Sequence, residues 1–148
     1  MQAAGITIID ARLRRLHDYW LLKKGDRPFP ARADIAPEEI RDVLPWLFIM
    51  ERIDDRLRYR LVGEAFREIY GDKLVGMFMD EIDLDHITAA YIGEYDTCIE
   101  TKQPVARQWK FTKLSGRHLE YERLIMPLSA DGISINMFLC GAVGFGYG

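Results

Sequence analysis

Residues 59–77, "YRLVGEAFREIYGDKLVGM", decide how the chain folds. An alternating run stops at Gly63, a short segment carrying Phe66 and Tyr70 follows, and Gly71 and Gly76 come after it. Glycines in this setting either cradle a phosphate or turn corners. A cradle needs the tight Gly-x-Gly spacing that lets backbone approach a pyrophosphate, or a Gly-Lys-Ser/Thr ending, and neither is present. The structural reading therefore stands: Gly63 releases the chain from a strand, Phe66 and Tyr70 anchor a short helix, and Gly71 ends it in a left-handed conformation.

On the N-terminal side of this corner, "LFIMERI" and "RLRYRLV" read as strands near 47–53 and 57–63, joined by a hairpin turn at Asp54-Asp55. Alternation places Leu57, Tyr59 and Leu61 on one face and Arg58 and Arg60 on the other. On the C-terminal side, Ile87, Tyr91, Tyr95, Cys98 and Ile99 line one side of a helix over 86–102. Three strands follow at 104–112, 118–128 and 133–143, separated by the turn signals Ser115-Gly116 and Asp131-Gly132. A hairpin, a helical middle and a three-stranded meander predict an α+β fold, with a five-stranded antiparallel sheet and helices on one face.

Upstream, Ile9, Leu13, Leu16 and Trp20 recur at helical spacing between residues 7 and 24, so a flanking amphipathic helix ends near Gly25. "GDRPFPARAD" is an extended, proline-bearing connector, and "APEEIRDVLP" is one short helix with Pro37 at its first position and Pro45 stopping it. The expected division is residues 1–34 for helix and linker and 35–148 for the sheet domain.

A chain of 148 residues that is 49% apolar can bury a core of its own. No apolar run reaches the roughly 18 residues that would span a bilayer, and the start lacks a signal pattern, so a cytoplasmic location is expected. The two cysteines, Cys98 and Cys140, fit no zinc or disulfide spacing. The net charge of −3 hides a basic start. Residues 1–32 carry seven Lys/Arg against three Asp, which gives +4 there and leaves −7 for the rest. No aromatic interleaving or recognition motif accompanies those charges, so a solvated helix face is expected and nucleic acid is not.

The segments "ADIAPEEIRDVLPWLFIMERID", "YRLVGEAFREIYGDKLVGMFMDEI" and "ERLIMPLSADG" resemble, in order, those of a PAS domain. More narrowly, they resemble the compact PAS-like family common in alphaproteobacteria. The resemblance implies the same sheet and a sensory or protein-interaction role in bacterial signal transduction. It also implies a core that holds haem, flavin, a small metabolite or nothing, and dimerisation through a flanking helix. Haem would implicate His86, near the start of the long helix. Flavin photochemistry would need a cysteine in a characteristic segment that this sequence lacks, so Cys98 is expected to be packed.

Among candidate site residues, Arg107 and Trp109 alternate on one meander strand, and Tyr121 and Arg123 on the next. Facing inward with Tyr91, they would suit a carboxylate or other anionic metabolite; facing outward, they would be exposed pairs or a partner surface. Glu120 and Glu122, followed by apolar Leu124 and Met126, occupy the other face, so alternation leaves the orientation open. The acidic run 80–86 lacks the glycine and distal glutamate of a calcium loop, and no histidine is arranged for catalysis. The stripe Leu13, Leu16 and Trp20 either packs on its own domain or pairs with a second copy. The expectation is a non-catalytic sensory or interaction module, a homodimer or a partner binder, with ligand binding as the alternative. No kinase, cyclase or DNA-binding segment is expected after residue 148, so any output is expected to pass through a partner or through dimerisation.

Overall fold

The computed structural model describes residues 6–81, 88–112, 116 and 118–147. Helix α1 (Ala11–Lys24) leads, followed by 3-10 turns at Arg32–Asp34, Pro37–Ile40 and Leu44–Trp46. Then come strands β1 (Leu47–Ile53) and β2 (Arg56–Val62), helix α2 (Glu64–Tyr70), a 3-10 turn at Met79–Glu81 and helix α3 (Thr88–Thr101). Strands β3 (Val105–Thr112), β4 (His118–Leu128) and β5 (Met137–Tyr147) complete an antiparallel sheet of order β2-β1-β5-β4-β3. No helix among the described residues is long and apolar enough to cross a membrane.

The corner after β2 forms as the glycines require. Gly63 is the N-cap of α2, and a Cβ there would sit 2.3 Å from the Pro45 carbonyl oxygen. Gly71 ends α2 at φ 83, donating its N–H to Arg67 O at 2.7 Å. Phe66 packs edge-on against Phe48 at 5.2 Å. The side chain of Tyr70 lies outside the described residues, as do His86, Ile87, Ser115 and the acidic run beyond Glu81. The β1–β2 turn is made by Asp54 and Asp55 at φ 49 and 65, the left-handed pair that a two-residue hairpin needs.

Four expectations shift. The segment read as one short helix forms two 3-10 turns, Pro37–Ile40 and Leu44–Trp46, and Pro45 lies inside the second instead of stopping a helix. Helix α1 begins at Ala11 rather than residue 7, because Asp10 caps it by accepting the Arg12 N–H at 2.8 Å. Strand β5 begins at Met137 rather than 133, because Asp131 accepts the N–H groups of Ile133 and Ser134, each at 2.8 Å, and holds them in a loop. Leu61 does not share a face with Leu57 and Tyr59. The register skips Arg60, pairing Ile49 with Leu61 and Met50 with Tyr59, and the bulge turns Leu61 to the other side.

The sheet is covered on both faces. On one, α1 and residues 35–46 bury Leu13, Leu16, Trp20, Ile40, Leu47, Ile49, Leu124, Met126 and Leu139. On the other, α3 and its neighbours bury Phe48, Met50, Tyr91, Tyr95, Cys98, Ile125, Phe138 and Cys140. Alternate residues of β1, β4 and β5 thus feed two cores, which is why β4 reads as apolar on both sides. Gly141 lets α1 approach: a Cβ there would lie 2.7 Å from Leu13 Cδ2.

Candidate functional site

The inner face of the meander, beneath α3, carries a buried cluster of polar and aromatic side chains. Arg123 on β4 points into it, 7% exposed, and Glu94 on α3 meets it, 2% exposed. Arg123 Nε donates to Glu94 Oε1 at 2.7 Å, and Trp109 Nε1 donates to Glu94 Oε2 at 2.9 Å. One carboxylate thus joins a strand arginine to a tryptophan on the neighbouring strand. The Arg123 guanidinium carbon lies 3.8 Å from the Tyr91 ring centroid, and the Tyr91 and Tyr121 hydroxyls hydrogen-bond to each other. Trp109 and Tyr121, paired across the strands, stack at 6.3 Å with ring planes 9° apart.

Of the residues expected at a site, Arg123, Trp109, Tyr121 and Tyr91 come together on this inward face. Arg107 lies at its margin, exposed, with its guanidinium 4.8 Å from the Trp109 centroid. Sequence reasoning missed Glu94. It falls three residues after Tyr91 and one before Tyr95, so it is a charged residue inside the buried helical stripe, and that was the available signal. Arg123 consequently already has a carboxylate partner within the chain.

The electrostatics keep Arg123 charged. Burial works against the charge of Arg123, but the surrounding Tyr95, Glu94 and Tyr91 outweigh it and raise its pKa above the ordinary value. Burial likewise pushes Cys98 up to about 12 and raises Cys140 and Tyr95. Both thiols are free and buried, so they are packing groups. The guanidinium is not fully satisfied: Arg123 Nη2 is buried and has no hydrogen-bond partner among the described residues. Such a group costs about 1–3 kcal/mol unless something outside the chain meets it.

The apolar stripe of α1 lies on the chain's own sheet. Leu13, Leu16 and Trp20 are 1%, 1% and 2% exposed, and Trp20 Nε1 donates to Pro127 O at 2.9 Å. A second copy could reach these side chains only if α1 left the sheet. Exposed instead on α1 are Leu21 and Leu22, at 44% and 76%. The basic start is largely neutralised locally: Arg12 pairs with Asp10, Arg15 with Asp42, Lys23 with Glu39 and Arg27 with Asp34.

A family model described as a PAS domain matches residues 10–141. The chain belongs to the PAS domain family. Its fold is similar to that of a LOV protein from Rhodobacter sphaeroides, with TM-score 0.53 and 12% identity over 74% of this chain. The match spans 66% of that protein's length, just under two thirds. A PAS domain from Colwellia psychrerythraea gives TM-score 0.51 at 9% identity, covering 73% of this chain and 95% of that one. The LOV domain of a blue-light activated histidine kinase from Erythrobacter litoralis gives 0.50 at 19% identity, covering 70% and 98%. At these identities the likeness is one of fold. No curated protein matches the chain.

Proposed function

We propose that this PAS domain is a non-catalytic sensory module of a signalling system, which takes its input at the Arg123 cluster and passes it on through a partner protein or a second copy. One observation carries the reading: a buried guanidinium, held on one edge by Glu94, leaves Nη2 without a partner among the described residues. A small molecule with an acceptor oxygen, a carbonyl or a carboxylate, would meet it. Because Glu94 already balances the charge, a carboxylate ligand has to share the guanidinium with it, whereas a carbonyl adds no second negative charge. The aromatic walls Tyr91, Trp109 and Tyr121 suit an apolar body beside that oxygen. The kinship with PAS and LOV domains, including one in a histidine kinase, supports the sensory role.

Thermal-shift measurements against a panel of small carboxylic acids and amides test this reading. Wild type is expected to be stabilised by a subset that leaves the double variant Glu94→Leu/Arg123→Met unshifted. The double variant removes both charges together and so avoids stranding either one. Equal shifts in both proteins, or none in either, would assign Nη2 to a buried water and move the function to the surface.

A further inference from the structure

Glu122, next to Arg123 in β4, is a fully buried carboxylate on the opposite face of the sheet. The Ile9 N–H donates to its Oε2 and the Asp10 N–H to its Oε1, each at 2.8 Å, and Gln108 Nε2 adds a third hydrogen bond. Gln108 also donates to Thr7 O at 3.1 Å. The backbone so gripped is the stretch that leads into α1. Asp10 then caps the helix and holds the Arg12 guanidinium, which lies 4.4 Å from the Trp46 ring centroid. At the other end of α1, Trp20 is tied to Pro127, again on β4. Both ends of α1 therefore hang on β4, whose inner face between those two points presents Arg123. The β4–β5 register breaks between Glu120 and Tyr121, beside the grip, and such a bulge re-aims the side chains around it.

We infer that Glu122 is a positioning residue that couples the Arg123 cluster to the docking of α1, an inference that rests on reading that cluster as the input site. Its carboxylate faces the donors of Ile9, Asp10 and Gln108. A buried carboxylate that loses one such donor is left undersatisfied, so the grip is either made or released and has no stable intermediate. A shift of β4 at Arg123 moves the Glu122 backbone with it, and the grip converts that shift into a docked or loosened α1.

Hydrogen exchange of the full chain, followed by mass spectrometry, tests this without any ligand. Glu122→Gln should speed exchange over residues 11–20 by about tenfold or more while β1 and β5 keep their protection. Glu94→Gln, which lies on the inner face and lowers the stability of the whole chain, should speed the α1 amides beyond the general acceleration seen in β1 and β5, and the Glu94→Gln/Glu122→Gln double variant should add no α1-specific acceleration to that of Glu122→Gln alone. The inference is overturned if Glu94→Gln speeds α1 no more than it speeds β1 and β5, if the two α1-specific effects multiply, or if Glu122→Gln loosens the whole sheet equally. Should Glu122→Gln not fold, Gln108→Ala removes one donor from the exposed side and replaces it in the same comparison; unchanged α1 exchange in that variant would also overturn the inference. A coupled α1 without ligand binding would contradict only the input reading, and ligand binding without a response in α1 would contradict only the coupling.

Discussion

Glu122 and Arg123 are consecutive residues of β4 that leave opposite faces of the sheet. The first holds the backbone ahead of α1, and the second holds the carboxylate of Glu94 on α3. Strand alternation alone produces this arrangement. It places the polar centres of the two faces one residue apart, and several outcomes follow from how each is built.

The Arg123–Glu94 pair is desolvated on both sides, so its halves depend on each other. Removing one charge, as in Glu94→Gln or Arg123→Met, should cost about 3–5 kcal/mol in urea unfolding, because the other is stranded. The double variant Glu94→Leu/Arg123→Met should cost less than either single change, about 1–3 kcal/mol, from the acceptor that Trp109 Nε1 loses. Single losses that simply add in the double variant would contradict the pairing.

Gly63 and Gly141 are both tight, for different reasons. A Cβ at Gly63 meets the backbone carbonyls of Leu44 and Pro45 at 2.4 and 2.3 Å, which cannot rotate away. Gly63→Ala should therefore cost about 3 kcal/mol or more. A Cβ at Gly141 meets the side-chain ends of Leu13 and Leu16 at 2.7 and 3.1 Å, so Gly141→Ala should cost about 1–2 kcal/mol and loosen α1 first. Denaturation midpoints and α1 exchange rates distinguish the two cases.

Acid should act on the α1 cap. The hydrogen bond from the Arg12 side chain, aided by the Arg12 N–H, holds the Asp10 carboxyl below its ordinary value of 3.8. A depressed folded pKa contributes stability that is present above 3.8 and is lost as pH falls through the folded value. Wild type should exceed Asp10→Asn in urea midpoint near neutrality, and the gap should close below about pH 4. A gap that persists or widens in acid would contradict the cap.

Cys98 and Cys140 should resist a thiol reagent in the native chain, since both are buried and Cys98 is pushed up to about 12. Both should react once the chain is unfolded. Native reaction at the rate of an exposed thiol would contradict the packing of α3.

Much of this architecture was legible in local signals: the corner at Gly63 and Gly71, the Asp54-Asp55 turn and the helical stripe of Leu13, Leu16 and Trp20. What was not legible depends on contacts between distant segments. The bulge at Arg60 inverts Leu61, and the capping of Ile133 and Ser134 by Asp131 delays β5. The inward direction of Arg123 could not be read from β4, because α1 covers the other face and makes both faces apolar. The +4 start gave no warning that its charges would be met by Asp34, Glu39 and Asp42. Glu94 was visible only as an unexpected charge in an apolar stripe.

Native mass spectrometry of the chain, purified under non-denaturing conditions from cells grown in several media, tests the central claim most directly. A retained small-molecule mass in wild type, absent from the Glu94→Leu/Arg123→Met double variant, is the expected result. A clean unliganded mass from every medium, or the same adduct on both proteins, would contradict an input site at Arg123.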